Sequence, residues 1–147
     1  MRSIEVTLNV DVVAPLLDFI QPVLRLLESE PAFAADMAQA DCELESVWRD
    51  GLIQTQVADC KCLVGLFGRE FLDSGRIELN DGNADAVLRA AAAIRLKLRQ
   101  TALRHIGDDT LTTERIDPEA ITREERLGFE AFIFLERIQE VIIKHLG

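Results

Sequence analysis

Over most of its length the chain repeats apolar residues at alternating steps of three and four, and this beat restricts its fold more than any other feature. Leu127, Ala131, Phe134, Ile138 and Val141 form one such series, widened by Leu135 and Ile142. Side chains spaced in this way line one side of an α-helix, and that side must be covered. Several helices packed stripe against stripe satisfy the demand. The expected architecture is therefore mainly α, a four-to-five-helix bundle, with one small exception at the N-terminus. There, residues 3 to 10 alternate instead: Ile4, Val6, Leu8 and Val10 are apolar and Ser3, Glu5, Thr7 and Asn9 polar. That is the period of a half-buried strand. Its partner is the alternating Arg76-Ile77-Glu78-Leu79, so a minor two-stranded pairing of residues 3–8 with 76–79 is predicted.

The helices follow from stripes, caps and breakers. Asp11 is a plausible N-cap for a first helix carrying Leu16, Leu17, Ile20, Val23, Leu24 and Leu27. Pro15 lies near its first turn, whereas Pro22 sits in the interior and should bend it. Ser29 and Pro31 mark the next start, followed by Phe33, Met37, Ala40, Leu44 and Val47. A second series, Ile53, Val57, Cys60, Val64, Phe67 and Phe71, keeps the rhythm but runs out of phase with the first. A straight helix would turn the two stripes away from one another. A break between Asp50 and Ile53, at Gly51, is expected, with one long curved helix as the competing arrangement. Gly75 suits a left-handed C-cap before the second strand. Asn80 or Asn83 caps an alanine-rich helix from about Asp81 to His105, closed by Gly107. Asp108 to Ile116 reads as loop. The terminal helix has two possible starts, Asp117-Pro118-Glu119 and the capping-box pair Thr122 and Glu125, and runs to Leu146.

A chain of 147 residues fits a single helical domain spanning 1–147. Its formal net charge of −10 repels phosphate backbones, so no nucleic-acid and no anionic-membrane binding is expected. The charge is uneven: residues 1–60 carry 3 bases and 11 acids, 61–107 carry 8 and 5, and 108–147 carry 5 and 10. A basic middle thus lies between two acidic arms. The start, Met1-Arg2-Ser3-Ile4, has no apolar signal-type run and no later stretch is apolar enough to span a membrane. Together with an odd count of 3 cysteines, this points to a reducing, cytoplasmic setting.

Few residues offer chemistry. Cys60-Lys61-Cys62 places two thiols on opposite sides of a helix with no histidine nearby, which suits inert thiols better than a metal. Glu70 and Asp73 resemble the Glu-x-x-Asp pair that holds magnesium on one helical face in all-helical nucleotide pyrophosphohydrolases, yet the Glu-Glu-x-x-Glu element that precedes the pair in those enzymes is missing. They read as a solvated helical turn. Gly65-Leu66-Phe67-Gly68 falls inside a stripe and suggests close helix packing. In the basic middle helix, 100° steps put Arg89, Lys97 and Arg104 on one exposed side. Arg95 instead falls at the edge of the apolar stripe, where it requires a carboxylate from a flanking helix or faces a ligand or partner.

With the elements placed, the chain resembles an uncharacterised family best known from actinobacteria, whose genes commonly neighbour the one for the substrate adaptor of the Clp protease. The resemblance rests on Ile4-Glu5-Val6-Thr7-Leu8, Leu16-Leu17, Gly75-Arg76-Ile77-Glu78-Leu79, Leu88-Arg89-Ala90 and Ile94-Arg95-Leu96. Phe132, Phe134-Leu135 and Ile138-Gln139-Glu140 with Ile142 match its closing pattern. Where that family carries a Trp before Leu-Arg and an Asn-Asp pair before Leu-Arg-Leu, this chain has Val87 and Ala92-Ala93. The resemblance implies a bacterial protein linked to proteolysis and no established activity.

The resulting expectation is a non-enzymatic protein-interaction or regulatory module without a cofactor, with Arg89, Arg95, Gln139 and Glu140 as candidate binding residues. A protein partner or a homodimer is expected, because Leu127, Phe129, Phe132, Ile133, Phe134 and Leu135 occupy a wide arc of the last helix. Full burial of that arc is the equal alternative. The competing function is a magnesium-dependent enzyme acting on a nucleotide or other phosphorylated small molecule through Glu70, Asp73 and Arg95.

Overall fold

A computed structural model of the chain describes residues 2–32 and 42–147. The expected stripe positions Phe33, Met37 and Ala40 lie outside the described residues. Strand β1 (Ser3–Thr7) pairs antiparallel with β2 (Arg76–Asn80), Ser3 opposite Asn80 and Thr7 opposite Arg76. The alternation in sequence is the cause, since it buries Ile77 and Leu79 and leaves Arg76 and Glu78 in water. The pairing continues one step beyond the strands, where the Leu8 N–H donates to the Gly75 carbonyl at 2.7 Å. Gly75 has φ +74°, and a Cβ on it would stand 2.7 Å from the Leu8 carbonyl oxygen. Only glycine meets both conditions.

The first expected helix is divided. Helix α1 (Val10–Phe19) is capped by Asn9, whose side-chain oxygen accepts from the Asp11 N–H, so the cap lies two residues before the expected Asp11. Helix α2 (Gln21–Leu26) then starts afresh after Ile20, with Pro22 in its first turn. A first turn leaves its N–H groups unpaired in any case, so a new start accommodates Pro22 better than a bend.

Helix α3 (Cys42–Gly65) corrects the expected break, because it passes through Gly51 uninterrupted. Its buried stripe is Asp59, Cys60, Leu63 and, beyond the helix, Phe67, with Leu52 and Gln56 half-buried on the same side. Leu44, Val47 and Trp48 lie roughly 60° to 160° round the helix from that stripe and are 67%, 72% and 42% exposed. The phase slip at Gly51 therefore marks where the apolar stripe leaves the core, and the backbone hydrogen bonds run straight through it. The break falls later, at Gly65 to Gly68, where α4 (Arg69–Ser74) begins. Both glycines are exposed at this corner and permit no close helix packing.

Helix α5 (Ala84–Gln100) is central, with α3 against one side and α7 (Arg123–Leu146) against the other. Ala84, Ala90, Ala91 and Ala93 keep its buried sides narrow, so both neighbours approach closely. It ends at Thr101, before the expected His105, because Thr101 leaves helical geometry and the Leu103 N–H returns to the Leu98 carbonyl at 2.8 Å. A short helix α6 (Asp108–Thr113) stands where a loop was expected and turns Leu111 inward. Of the two possible starts for α7, the capping box is the one used, with Thr122 and Glu125 bonded reciprocally. Asp117 closes a turn, its side chain accepting from the Glu119 N–H and its carbonyl from the Ala120 N–H.

The wide apolar arc of α7 is consumed within the fold. Phe132 and Leu135 are buried, and Leu127, Phe129, Ile133 and Phe134 pack half-buried against the core. Phe67 meets Phe71 edge-on at 5.1 Å and Phe134 at 5.9 Å, tying the corner after α3 to α7. Gly128 admits a close crossing, since a Cβ there would lie 3.0 Å from the Ala102 Cβ. No helix among the described residues is long and apolar enough to cross a membrane.

Candidate functional site

The two helices that flank α5 meet it differently. On the α3 side, a cleft of about 320 Å³ is lined by Pro31, Trp48 and Leu52 and by Ala92 and Ala93 of α5. Asp59 and Arg89 form part of its wall as a bidentate pair. Arg89 Nε and Nη2 donate to the two carboxylate oxygens of Asp59, each at 2.9 Å. The Asp59 side chain is only 8% exposed, so this fork supplies the charge that its burial requires. Asp59 in turn acts on its neighbour in sequence: burial first, and then the Asp59 carboxylate, push the Cys60 thiol up to about 11. At neutral pH that thiol stays protonated and poorly nucleophilic.

Gln56 fixes the entry to this side. Its amide nitrogen donates to the carbonyls of Leu27 and Glu30 at 2.8 and 2.9 Å, and its oxygen accepts from the Ala32 N–H at 2.9 Å. Lys97 corrects the sequence expectation, for it is buried rather than on an exposed side. It donates to Glu30 Oε1 at 2.7 Å, and this bond, followed by the charge of Lys97, holds the Glu30 carboxyl below its ordinary value. The exposed-side placement holds for Arg104, which bonds only the Thr101 carbonyl among the described residues.

On the α7 side, Arg95 and Gln139 come together, as two of the candidate residues. Arg95 Nη1 donates to Gln139 Oε1 at 2.7 Å, while Gln139 Nε2 donates to the Leu88 carbonyl at 3.2 Å. The Phe132 ring lies 4.3 Å from the guanidinium carbon. The carboxylate expected for Arg95 is that of Glu136, yet it stands 3.9 Å from Nη2, beyond hydrogen-bonding distance. Arg95 Nε is buried and has no partner among the described residues, an arrangement that costs about 1–3 kcal/mol if left unanswered. Arg95, Arg99, Asp108 and Glu136 line a polar cavity of about 250 Å³ between α5, α6 and α7.

The other candidates are dispersed. Glu140 is exposed and pairs with Arg137, which also reaches Glu114 after α6. Glu70 and Asp73 are exposed on α4, and among the described residues no group of three or more potential ligands is placed to hold a metal ion. Asp59, Gln56, Glu30 and Trp48 were not singled out in the sequence. A signal did exist, since Gln56 and Asp59 occupy helical steps between Leu52 and Leu63, where a polar residue on a buried stripe must find an internal partner.

The family model described as Domain of unknown function (DUF2017) matches residues 14–146, and the chain belongs to that family. No curated protein matches the chain. No solved structure matches it either.

Proposed function

We propose that this member of the DUF2017 family is a protein-binding module whose docking face is the N-terminal half of α3 together with the cleft it forms with α5. The observation that carries the proposal is the exposure of Trp48 in the cleft wall and of Leu44 and Val47 on the same half of α3, while the broader apolar arc of α7 is already spent on the core. Trp is the residue most often found at the energetic centre of protein interfaces, and an apolar groove between helices receives an amphipathic helix. Ala92 and Ala93 keep the wall opposite Trp48 apolar.

The occupant is a basic amphipathic helix of another protein. Residues 1–60, which include this face, carry 11 acids against 3 bases, so a second copy would bring like charge against like. A helix with an apolar stripe and a lysine-rich rim supplies both complements. The resemblance to a family encoded beside the substrate adaptor of the Clp protease makes components of that degradation system the first natural partners to try.

The test uses a labelled leucine- and lysine-based amphipathic helix titrated with the full chain and followed by fluorescence anisotropy. Saturable binding that weakens with salt and is abolished by Val47→Asp is expected. Binding unaffected by Val47→Asp would contradict the proposal, as would no binding, or a stable dimer of the chain alone by light scattering.

A further inference from the structure

We propose that the cavity between α5, α6 and α7 binds a small amino acid, with its carboxylate on Arg95 and its ammonium group toward Glu136. This site lies on the other side of α5 from the docking face and stands independently of it. The chain itself displays what the Nε and Nη2 edge of an arginine takes, for in Arg89 both donors are filled by the two oxygens of Asp59 at 2.9 Å. In Arg95 the same edge is unfilled. Among the described residues Nε, which is shielded from solvent, has no partner, and Nη2 has only a carboxylate oxygen at 3.9 Å.

The guanidinium is nonetheless firmly oriented. Gln139 holds Nη1 at 2.7 Å, the Leu88 carbonyl holds Gln139, and Phe132 covers one face of the group. Nη2, held in place with no hydrogen-bonded acceptor among the described residues, is the guanidinium donor left to receive a carboxylate. A volume of about 250 Å³ falls below the range of drug-sized pockets, which limits the ligand to a small molecule.

Charge decides between ligand classes. Arg99 is paired with Asp108 in the cavity wall, and Glu136 lies beside Arg95. A carboxylate that takes the Arg95 edge moves between the guanidinium and Glu136, leaving Glu136 without a cation. An ammonium group on the same ligand supplies one. An inorganic dianion would instead add negative charge next to Glu136 and Asp108, which opposes it.

Thermal unfolding of the full chain, followed by circular dichroism, tests this with the common amino acids one by one, with acetate and propionate, and with inorganic phosphate. The expected result is a saturable rise in Tm with at least one small amino acid and none with the simple carboxylates or phosphate. Arg95→Gln removes the rise, Glu136→Gln weakens the affinity by about tenfold or more, and Arg104→Gln, outside the cavity, retains it. No rise with any amino acid overturns the proposal. An equal rise with acetate, propionate or phosphate does the same, as does a rise that survives Arg95→Gln. If Arg95→Gln fails to fold, Glu136→Gln decides, because the Glu136 side chain is 30% exposed and makes no hydrogen bond among the described residues.

Discussion

The two halves of α3 share one rod and one apolar rhythm, yet they answer to different neighbours. From Asp59 onward the helix is part of the core: Leu63 is fully buried, Cys60 nearly so, and Asp59 is held by Arg89. Before Gly51 its large apolar residues face outward, with Val47 at 72% exposure. The difference teaches that a regular stripe establishes a helix without establishing what covers it. One half pays the cost of folding, and the other is free to meet something else.

Substitution separates the halves by stability. Leu63→Ala removes a fully buried side chain and should destabilise the chain by about 2–5 kcal/mol in urea unfolding. A loss below 1 kcal/mol would break the contrast. Arg89→Leu leaves the Asp59 carboxylate buried and unanswered, so a loss of about 1–3 kcal/mol is expected from the same measurement.

The link between α2 and the inner half of α3 and α5 should show in pH. The bond from Lys97 keeps the Glu30 carboxyl below its unfolded value, so the folded state gains from ionisation of Glu30. That gain is complete above the ordinary carboxylate value and is lost as pH falls through the lowered folded value. Glu30→Gln should therefore be less stable than the parent at neutral pH, with the gap closing below about pH 4. A gap that widens toward acid would reverse the sign and refute the pairing. Smallest of all, Leu44→Ser and Val47→Ser should alter stability by no more than about 0.5 kcal/mol.

Much of the fold was legible because its signals are local. Alternation at residues 3–8 and 76–79 gave the strand pairing, Gly75 the left-handed cap, and Thr122 with Glu125 the start of α7. The break assigned to Gly51 misled because periodicity reports the direction of a stripe, whereas helix continuity is decided by backbone hydrogen bonds that one glycine weakens by only about 1 kcal/mol. The site was less legible. Arg95 was recognised from its position on the apolar edge, and Gln139 meets it. Asp59, Gln56 and Glu30 depend on partners 24 to 67 residues away, which no local pattern specifies. The apolar excess lay in plain view on α7, but packing against Phe67 and the core consumed that arc, while Leu44, Val47 and Trp48 of α3 stay exposed.

Trp48 is the chain's single tryptophan and stands within the outward half of α3, so its emission reports on that face alone. Titration with an unlabelled basic amphipathic helix should move the emission to shorter wavelength and protect it from acrylamide, with both changes saturating together. Emission and quenching that stay as in the free chain, while the same helix binds, would place the docking face elsewhere.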